Sequence, residues 1–370
     1  MLLPRCIRSV PFARGGCSRQ AARIRRSSTA SPPLPGPVTG QSGRTYTPTK
    51  LLYSRFHSNW DFHTRIYEAK YDNQSFVLKQ PIPRYYEQAL DIAAEFPDGS
   101  QYLRHPTDHI KEPHTLVYPY YKTTLLDLIT EFPEFPVVER LKVLRHVAQG
   151  IKELHDREWL HLDIKPDNIL LHWESSPPTG PVEGQVVTSA VLSDFDISLK
   201  IPPMPNPDRY TIFNLQHAVG NVHWRSPEAQ TGLGLTKASD VYSFALVCLY
   251  TLGASEYLII PREERARLIE EDIPDELHVL VQHMCYFEPT EEEFDGLLKH
   301  MAGDEVWRER LGHAFEQAKS VIEKYSDQKL SCWGKELGEE MVGLVLGMTR
   351  MDPRKRLTIG EVLESEVFNI

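Results

Sequence analysis

One stretch of the chain combines carboxylate, amide and ammonium side chains at close spacing. The string LHLDIKPDNILL at 160–171 contains Asp163, Lys165 and Asn168, and a further carboxylate, Asp194, ends a hydrophobic run later in the sequence. Two carboxylates and an amide, without nearby thiols or paired histidines, form a set of oxygen ligands that suits Mg²⁺ rather than zinc. Because Mg²⁺ held by few protein oxygens usually completes its coordination with phosphate oxygens, this pattern indicates nucleotide chemistry.

The composition excludes several other classes of protein. The chain has 370 residues, a length that suits one large or two modest domains. Of its residues 41% are hydrophobic, and its net charge is −10. Its longest apolar run, 241–253, is shorter than the roughly 20 residues of a membrane-spanning helix, so no membrane span is expected. An acidic chain binds duplex nucleic acid poorly, because phosphate affinity comes from Lys and Arg. The five cysteines form no CxxC pair, which favours neither a zinc site nor a disulfide framework.

The first 60 residues differ in charge from the rest of the chain. They contain ten basic residues and no acidic residue, which leaves 31 basic and 51 acidic residues in the remainder. A composition rich in Arg and Ser and free of acids is typical of a mitochondrial transit peptide. We therefore expect residues 1–45 to be a disordered basic leader and the protein to be mitochondrial. A plain basic tail on a cytoplasmic protein, or a start codon placed too early, would give the same pattern.

The pattern along the chain predicts strands first and helices later. Short runs around an Asp72-Asn73 turn signal predict strands, and apolar residues three or four apart predict helices. The predicted strands are 65–70, 74–79 and 115–121, and the predicted helices are 85–96, 125–130 and 137–155. Pro and Gly are concentrated in 173–185, which predicts an exposed insertion. This order favours an α+β fold with a small β-rich lobe and a larger helical lobe.

Six short strings resemble the motifs of protein kinases and occur in the order of that family. FVLK at 76–79 resembles V-A-I-K, and HLDIKPDN at 161–168 resembles H-R-D-x-x-x-x-N. DFD at 194–196 resembles D-F-G, and SPE at 226–228 resembles A-P-E. Asp240 is similar to the aspartate of the family's αF helix, and DPRKRLT at 352–358 resembles D-P-x-x-R-x-T. One such string would be weak support, whereas six in order are specific. The resemblance implies a bilobal kinase-like domain over 46–370, with an N-lobe at about 46–117, a hinge at about 118–122 and a C-lobe at about 123–370.

The resemblance also implies a role for each matching residue. Asp163 would accept or orient the proton of the substrate hydroxyl, and Lys165 would offset charge on the transferring γ-phosphoryl group. Asn168 and Asp194 would hold Mg²⁺, and Lys79 would contact the α- and β-phosphates of ATP. Phosphoryl transfer needs mostly placement and charge neutralisation, so these few groups suffice in principle.

The rest of the implied site binds adenine. Ile66, Val77 and Leu170 would enclose the ring, and Tyr120 belongs to the hinge segment 118–121, whose backbone would read the ring's edge.

Two ion pairs are also implied. Glu95 is the preferred partner of Lys79, with Glu87 as the alternative. Glu228 would pair with Arg356 as a buried structural bridge.

The implied function is phosphoryl transfer from ATP, dependent on Mg²⁺, to serine or threonine hydroxyls of a protein substrate. Lys165, two residues after Asp163, resembles serine/threonine kinases more than tyrosine kinases. The sequence does not indicate an oligomeric state.

Several departures from the family pattern keep other functions open. The positions of the glycines in the Gly-rich loop are taken by Asn59, Asp61 and Thr64. Leu162 replaces the catalytic-loop arginine, and Asp196 replaces the glycine of D-F-G. Asn221 replaces a threonine before the A-P-E-like triplet. These changes favour a pseudokinase that binds a nucleotide or a partner. A small-molecule phosphotransferase also uses a His-x-Asp…Asn loop, but the triplet at 226–228 together with Arg356 argues against it.

Overall fold

The computed structural model describes residues 34–58, 61–176, 184–202, 213–215, 217–254, 258–301 and 304–369. The chain forms two compact units, each described here by itself. The first unit holds the described residues up to Gly99 together with Arg104–Tyr120, and the second holds Ser100–Leu103 and the described residues from Tyr121 onward. The division after Tyr120 lies inside the segment 118–122 for which a hinge is predicted.

The first unit contains a six-stranded antiparallel sheet and one helix. Its strands are β1 (Val38–Thr39), β2 (Thr45–His57), β3 (Phe62–Tyr71), β4 (Gln74–Gln80), β5 (Asp108–Ile110) and β6 (Thr115–Pro119), and its helix is α1 (Pro83–Ala94). The order of the strands is β1-β2-β3-β4-β6-β5. Asp72 and Asn73 join β3 to β4 with φ angles of 47° and 60°, the geometry of a two-residue hairpin turn, as their turn signal predicts.

Alternation along β4 sends its residues to two apolar clusters. Phe76 and Leu78 pack with Tyr46 and other residues in one cluster, whereas Val77 packs with Tyr86 of α1 in the other. Because side chains two apart on a strand share a face, Lys79 lies on the face of β4 that α1 covers.

The beginning of the sheet is held by the buried carboxylate of Asp108. It accepts hydrogen bonds from the amide of Ser42 at 3.1 Å and from the hydroxyl of Tyr46 at 3.0 Å. Burial by itself would raise the pKa of Asp108, but its hydrogen bonds outweigh burial and hold this pKa below its ordinary value. Residues 38–45 therefore belong to the folded unit, and the leader boundary predicted at residue 45 is too late. Residues 1–33 lie outside the described residues, and their mitochondrial role stays a prediction.

The second unit is mainly helical. Its helices are α2 (Leu125–Glu131), α3 (Val137–Asp156), α4 (Pro227–Thr231), α5 (Lys237–Leu249), α6 (Arg262–Glu270), α7 (Asp275–Phe287), α8 (Glu291–Met301), α9 (Glu305–Lys324), α10 (Gly334–Leu337), α11 (Glu339–Met348) and α12 (Ile359–Leu363). Its strands are β7 (Thr123–Thr124), β8 (Trp159–Leu160), β9 (Ile169–Ser176), β10 (Gly184–Leu192) and β11 (Leu199–Lys200), which form the sheets β10-β9-β7 and β11-β8. The predicted α+β class, with strands before helices, is confirmed. Among the described residues, no helix is long and apolar enough to span a membrane.

Part of the predicted insertion at 173–185 is regular structure. Strand β9 continues past Trp173 and β10 begins at Gly184, whereas 177–183 lie outside the described residues. The Trp173 ring packs edge-on against Phe132, with ring centroids 5.0 Å apart. Residues from Trp173 to Ser176 form a strand because they pair with β10, and the aromatic contact of Trp173 adds packing at this point.

Helix α5 lies in the core of the second unit. Every residue from Ser239 to Leu249 is buried, as expected of a core helix that contacts protein on all sides. Thr236 and Ser239 form a capping box at its start, so the chain direction at this end of α5 is well defined.

The predicted ion pair between Glu228 and Arg356 is confirmed next to α5. Two parallel bonds of 2.6 and 2.8 Å join the fully buried guanidinium and carboxylate groups. Ser239 of α5 donates a third bond to Glu228 at 2.8 Å. Burial alone would raise the pKa of Glu228, but Arg356, together with hydrogen bonds from the backbone and from Ser239, outweighs this effect and lowers it. The pair joins α4, which contains Glu228, and the segment before α12 to the core helix.

The buried histidines of the second unit predict a pH dependence of stability. Burial lowers the pKa of His283 to about 3, so below its ordinary value near 6.5 the unfolded chain binds a proton that the folded chain excludes. The free energy of unfolding is therefore expected to fall as pH drops from 7 to 5. His283→Gln should reduce this slope by roughly 1 kcal/mol per pH unit. Urea unfolding at several pH values measures it, with the exposed His313→Gln as a control that keeps the wild-type slope. Equal slopes in all three proteins would contradict the assignment.

Candidate active site

The loop that carries the candidate catalytic residues is held by one carboxylate of the core helix. Asp240 of α5 accepts bonds from the backbone amides of His161 and Leu162, each at 2.8 Å. It is also bonded to Nε2 of His155, near the end of α3, at 3.0 Å. Asp240 is only 1% exposed, so these bonds form in a region without competing water. The backbone that precedes Asp163 is therefore fixed to α5.

Leu162 takes an unusual backbone conformation in this loop. Its φ angle is 64°, in the left-handed region, which few residues other than glycine adopt. Its buried side chain packs in an apolar cluster with Leu160, Ile201 and Leu235. This position, where the family pattern has arginine, therefore lies in an apolar environment that does not suit a phosphate group.

Asp163, Lys165 and Asn168 come together as predicted from their spacing. The Lys165 ammonium lies 2.6 Å from Oδ2 of Asp163. The Asn168 amide nitrogen donates to the same oxygen at 3.0 Å and to the Asp163 carbonyl at 2.8 Å. Both donors hold the carboxylate in one orientation and leave it partly open to solvent.

His161 supports this loop as a neutral side chain. Burial lowers its pKa, and the nearby carboxylates of Asp240 and Asp163 only partly oppose the effect. Its Nε2 lies 3.2 Å from the carbonyl of Ser193, and its Nδ1 accepts from the Asp163 amide at 3.2 Å. A neutral ring with its proton on Nε2 satisfies both contacts, so His161 is a structural residue rather than a base.

Asp194 lies beside Asn168 because of the residue that precedes it. The amide and the hydroxyl of Ser193 both donate to the carbonyl of Asn168, at 2.8 and 2.9 Å. Asp194 itself has a φ angle of 71°, again in the left-handed region. The backbone thus turns sharply at Asp194, the predicted metal-binding residue, two residues after the end of β10.

The donor atoms at this position fit a magnesium ion. Asn168 uses its amide nitrogen to bond Asp163, which leaves its side-chain oxygen as an acceptor. This oxygen and the carboxylate of Asp194 are hard ligands, and two protein ligands suit an ion that completes its coordination with phosphate or water. In the described parts of the chain, no three or more His, Cys, Asp or Glu side chains are grouped as a metal site.

The first unit places the other predicted binding residues on its sheet. Lys79 lies on β4 opposite Ile66 of β3, and it is half-buried. Ile66, Val77 and Tyr120 pack in one apolar cluster. Glu95 is the exposed residue that ends α1, and its pairing with Lys79 stays a prediction.

Leu170, the remaining residue predicted to contact adenine, belongs to the second unit. It is half-buried on β9, opposite Thr124 of β7 and Val191 of β10.

The segment that replaces the Gly-rich loop is described in part. Asp61 is exposed and has a φ angle of 47°, so an aspartate occupies a backbone conformation that glycine adopts freely. Thr64, on β3, lies 3.0 Å from the ring of His57. Asn59 lies outside the described residues.

Sequence reasoning missed one contact to Asp163. The backbone amide of Asn221 donates to Oδ1 of Asp163 at 3.1 Å. It reaches this oxygen because Gly220 adopts a φ angle of 82° and lies against the catalytic loop, where a Cβ would be 2.4 Å from the carbonyl of Leu162. The only signal in the sequence is the glycine that precedes Asn221.

Comparison with known proteins gives a family-level match. The model of the protein kinase domain matches residues 107–368, well over half of the chain.

Curated relatives match shorter parts of the chain. A probable serine/threonine-protein kinase of Dictyostelium discoideum is 31% identical over 136 residues, which are 37% of this chain and 7% of that protein. The serine/threonine-protein kinase/endoribonuclease IRE1 of Oryza sativa subsp. japonica is 25% identical over 230 residues, 57% of this chain and 24% of that protein. The chain thus spans at most a quarter of the length of either relative.

Among solved structures, a chain of the yeast RNA Pol II CTD kinase CTDK-1 complex is similar in fold. The TM-score is 0.57 at 16% sequence identity, over 82% of this chain and 90% of that chain. At this identity the likeness concerns the fold alone.

The contacts of Asp240 predict a large effect of one substitution. Asp240→Asn turns one of its oxygens into an NH₂ group, which cannot accept a bond from His161 or Leu162. Loss of one charge-assisted bond should lower the free energy of unfolding by about 3 kcal/mol. Urea unfolding measures this change, and the exposed Asp295→Asn on α8 is the matched control. Equal stability of the two variants would show that Asp240 does not hold the loop.

Proposed function

The chain belongs to the protein kinase family, which confirms the resemblance of its motifs, and we propose that it transfers the γ-phosphoryl group of ATP to serine or threonine hydroxyls of a protein substrate. One observation carries this proposal. Asp163 is oriented by Lys165 and Asn168 within 3.0 Å, and Asp194 follows the residue that bonds Asn168. These four side chains occupy the positions that the family uses for phosphoryl transfer.

Asp163 is the group that would meet the substrate hydroxyl. Its carboxylate accepts three hydrogen bonds, from Lys165, Asn168 and Asn221, which fix its orientation without closing it off from solvent. A hydroxyl placed against it can donate its hydrogen bond and then its proton, which aligns the oxygen for attack on phosphorus.

Lys165 and Asn168 have a second task in this proposal. The Lys165 side chain is 19% exposed and its ammonium lies against Asp163, so it can also contact an oxygen of the transferring phosphoryl group. The free amide oxygen of Asn168 and the carboxylate of Asp194 would hold Mg²⁺, which when bound neutralises phosphate charge. The protein thereby supplies placement and charge rather than covalent chemistry.

Several residues support ATP as the phosphoryl donor. Ile66, Val77 and Tyr120 form an apolar surface in the first unit, and Leu170 is half-buried in the second. Lys79 supplies a positive charge next to Val77 on the same face of β4. The preference for serine and threonine rests on Lys165 and on the names of the relatives, and the identity of the protein substrate is left open.

Substitution of the two carboxylates tests the proposal. Asp163→Asn in the full chain should bind ATP as the wild type does but lower turnover by about 10²- to 10⁴-fold, the usual contribution of a positioned acid–base group. Asp194→Asn should lower turnover and also weaken Mg²⁺-dependent ATP binding. Formation of ADP in the presence of generic protein substrates measures turnover, and calorimetric titration measures binding.

Asp295→Asn, far along the chain on α8, is the control for both variants. Wild-type turnover in Asp163→Asn and Asp194→Asn together would exclude the proposed reaction.

A second candidate function, that of a pseudokinase, is favoured by the phosphate-binding segment. Asp61 places a negative charge and a side chain where close approach of backbone amides to phosphate calls for glycine. Leu162 is buried among apolar side chains, and Asp196 adds a further carboxylate after Phe195. A protein with these features would bind nucleotide weakly and act through its partners.

The substitution Asp61→Gly tests whether the protein binds the phosphates of ATP weakly or not at all. It removes the charge and suits the φ angle of 47°, so ATP affinity in the presence of Mg²⁺ should rise by about tenfold or more, since a hydrogen bond to a charged group contributes about 1.5–3 kcal/mol. Asp72→Gly is the matched control, because Asp72 has the same φ angle in the β3–β4 turn and should leave ATP affinity unchanged. Calorimetric titration with and without Mg²⁺ measures both. No binding of ATP in any of the proteins would favour the pseudokinase.

A further inference from the structure

One peptide group, between Gly220 and Asn221, contacts charged side chains at both of its polar atoms. Its N–H, on Asn221, donates to Oδ1 of Asp163 at 3.1 Å. Its carbonyl oxygen, on Gly220, accepts from the guanidinium of Arg225, with Nη2 at 2.6 Å and Nε at 3.1 Å. In a trans peptide these two atoms point in opposite directions, so the group lies between a cation and the candidate catalytic carboxylate.

This arrangement polarises the peptide group in one direction. A cation at the carbonyl oxygen draws electron density from the amide nitrogen, so its N–H becomes a stronger donor to the carboxylate. Hydrogen bonds that involve a charged partner are shorter and stronger than neutral ones, and here both ends have one. The bond to Asp163 therefore depends on Arg225, although the two side chains are joined only through the backbone.

Arg225 is well placed to fix the orientation of this peptide group. Its Nε also donates to the carbonyl of Val219 at 2.8 Å, so the planar guanidinium contacts two successive carbonyls. Its Nη1 lies 3.3 Å from the side-chain oxygen of Gln230 and 3.6 Å from a carboxylate oxygen of Glu276. Burial lowers the pKa of Arg225, whereas the nearby charges of Glu276 and Asp163 oppose this effect.

The glycine explains why the peptide group can approach the loop. Gly220 has a φ angle of 82°, and a Cβ there would lie 2.4 Å from the carbonyl of Leu162 and 3.5 Å from Oδ1 of Asp163. Any other residue would move the amide of Asn221 away from the carboxylate. The side chain of Asn221 has a separate role, since its oxygen accepts the amide of His223 at 3.0 Å and stabilises the following turn.

We propose that Arg225 is a positioning residue for Asp163, acting through the peptide group between Gly220 and Asn221. In this chain Leu162 occupies the place of the catalytic-loop arginine, and Arg225 supplies the supporting positive charge from the segment before α4. The kinetic consequence rests on the proposed kinase activity, whereas the hydrogen-bonded link can be tested without it.

The link is tested by NMR on the full chain labelled with ¹⁵N-asparagine. The backbone signal of Asn221 is identified by its loss in Asn221→Ala, and its amide proton should be shifted downfield. Arg225→Met and Asp163→Asn should each move it upfield, whereas Arg267→Met should not. Arg267 is the matched control, because its guanidinium is also held by several hydrogen bonds, to the carboxylates of Glu264 in α6 and of Glu271.

A wild-type position of the Asn221 signal in Arg225→Met would overturn the proposal. If Arg225→Met does not fold, Gly220→Ala replaces it, because the added Cβ displaces the same peptide group. The same upfield movement is then expected, and an unmoved signal would again contradict the link.

Kinetics test the consequence for catalysis. Arg225→Met should lower kcat by about ten- to a hundredfold, the effect of one lost hydrogen bond to a charged group, with KM for ATP unchanged. Arg225→Lys should recover part of kcat, because it keeps the charge but not the two-carbonyl contact. An effect on KM for ATP without an effect on kcat would contradict positioning of Asp163. Absence of turnover in the wild type would count against the proposed function, and the NMR result would still decide on the link.

Discussion

The carboxylate of Asp240 is the group on which the candidate active site depends most. It is buried on the core helix α5 and accepts the backbone amides of His161 and Leu162, so the loop with Asp163 starts from a fixed position. Because α5 contacts protein along nearly its whole length, it can hardly shift without disturbing the core of the second unit. The accuracy with which Asp163 is placed is therefore linked to the stability of that core.

From this fixed loop, the carboxylate of Asp163 is oriented by donors from two parts of the chain. Lys165 and Asn168 belong to the same loop, whereas the amide of Asn221 comes from the segment that leads to α4. Helix α4, which follows directly, is itself tied to α5, because its Glu228 bonds both Arg356 and Ser239 of α5. One core helix thus supports the carboxylate from both sides, which is the preorganisation that electrostatic catalysis requires.

The departures from the family pattern do not all have the same physical meaning. Leu162 is accommodated in the loop, because its side chain packs in an apolar cluster while its backbone amide keeps its bond to Asp240. Asp61 has no such compensation, since it combines an exposed charge with a left-handed backbone conformation. In the proposed kinase, the first departure leaves the catalytic loop in place, whereas the second would affect the binding of ATP itself. This is why the choice between enzyme and pseudokinase depends on the phosphate-binding segment rather than on Asp163.

The sequence by itself determined the α+β class, the order of strands and helices, the pairing of Glu228 with Arg356 and the close grouping of Asp163, Lys165 and Asn168. The class, the order of the elements and the grouping follow from local spacing or from the order of short motifs, which a linear pattern contains. The pair between Glu228 and Arg356 is implied by the resemblance to protein kinases. The folded segment over 38–45 and the regular structure at Trp173 could not be predicted in this way, because Asp108, which bonds Ser42 and Tyr46, and Phe132, which packs on Trp173, lie far away in the sequence. The same holds for the peptide group that bonds Asp163, since a backbone amide has no signature in the sequence beyond the glycine next to it. Only the tertiary structure brings residues 163 and 221 within hydrogen-bonding distance, because the packing of both segments against α5 decides which backbone atoms meet.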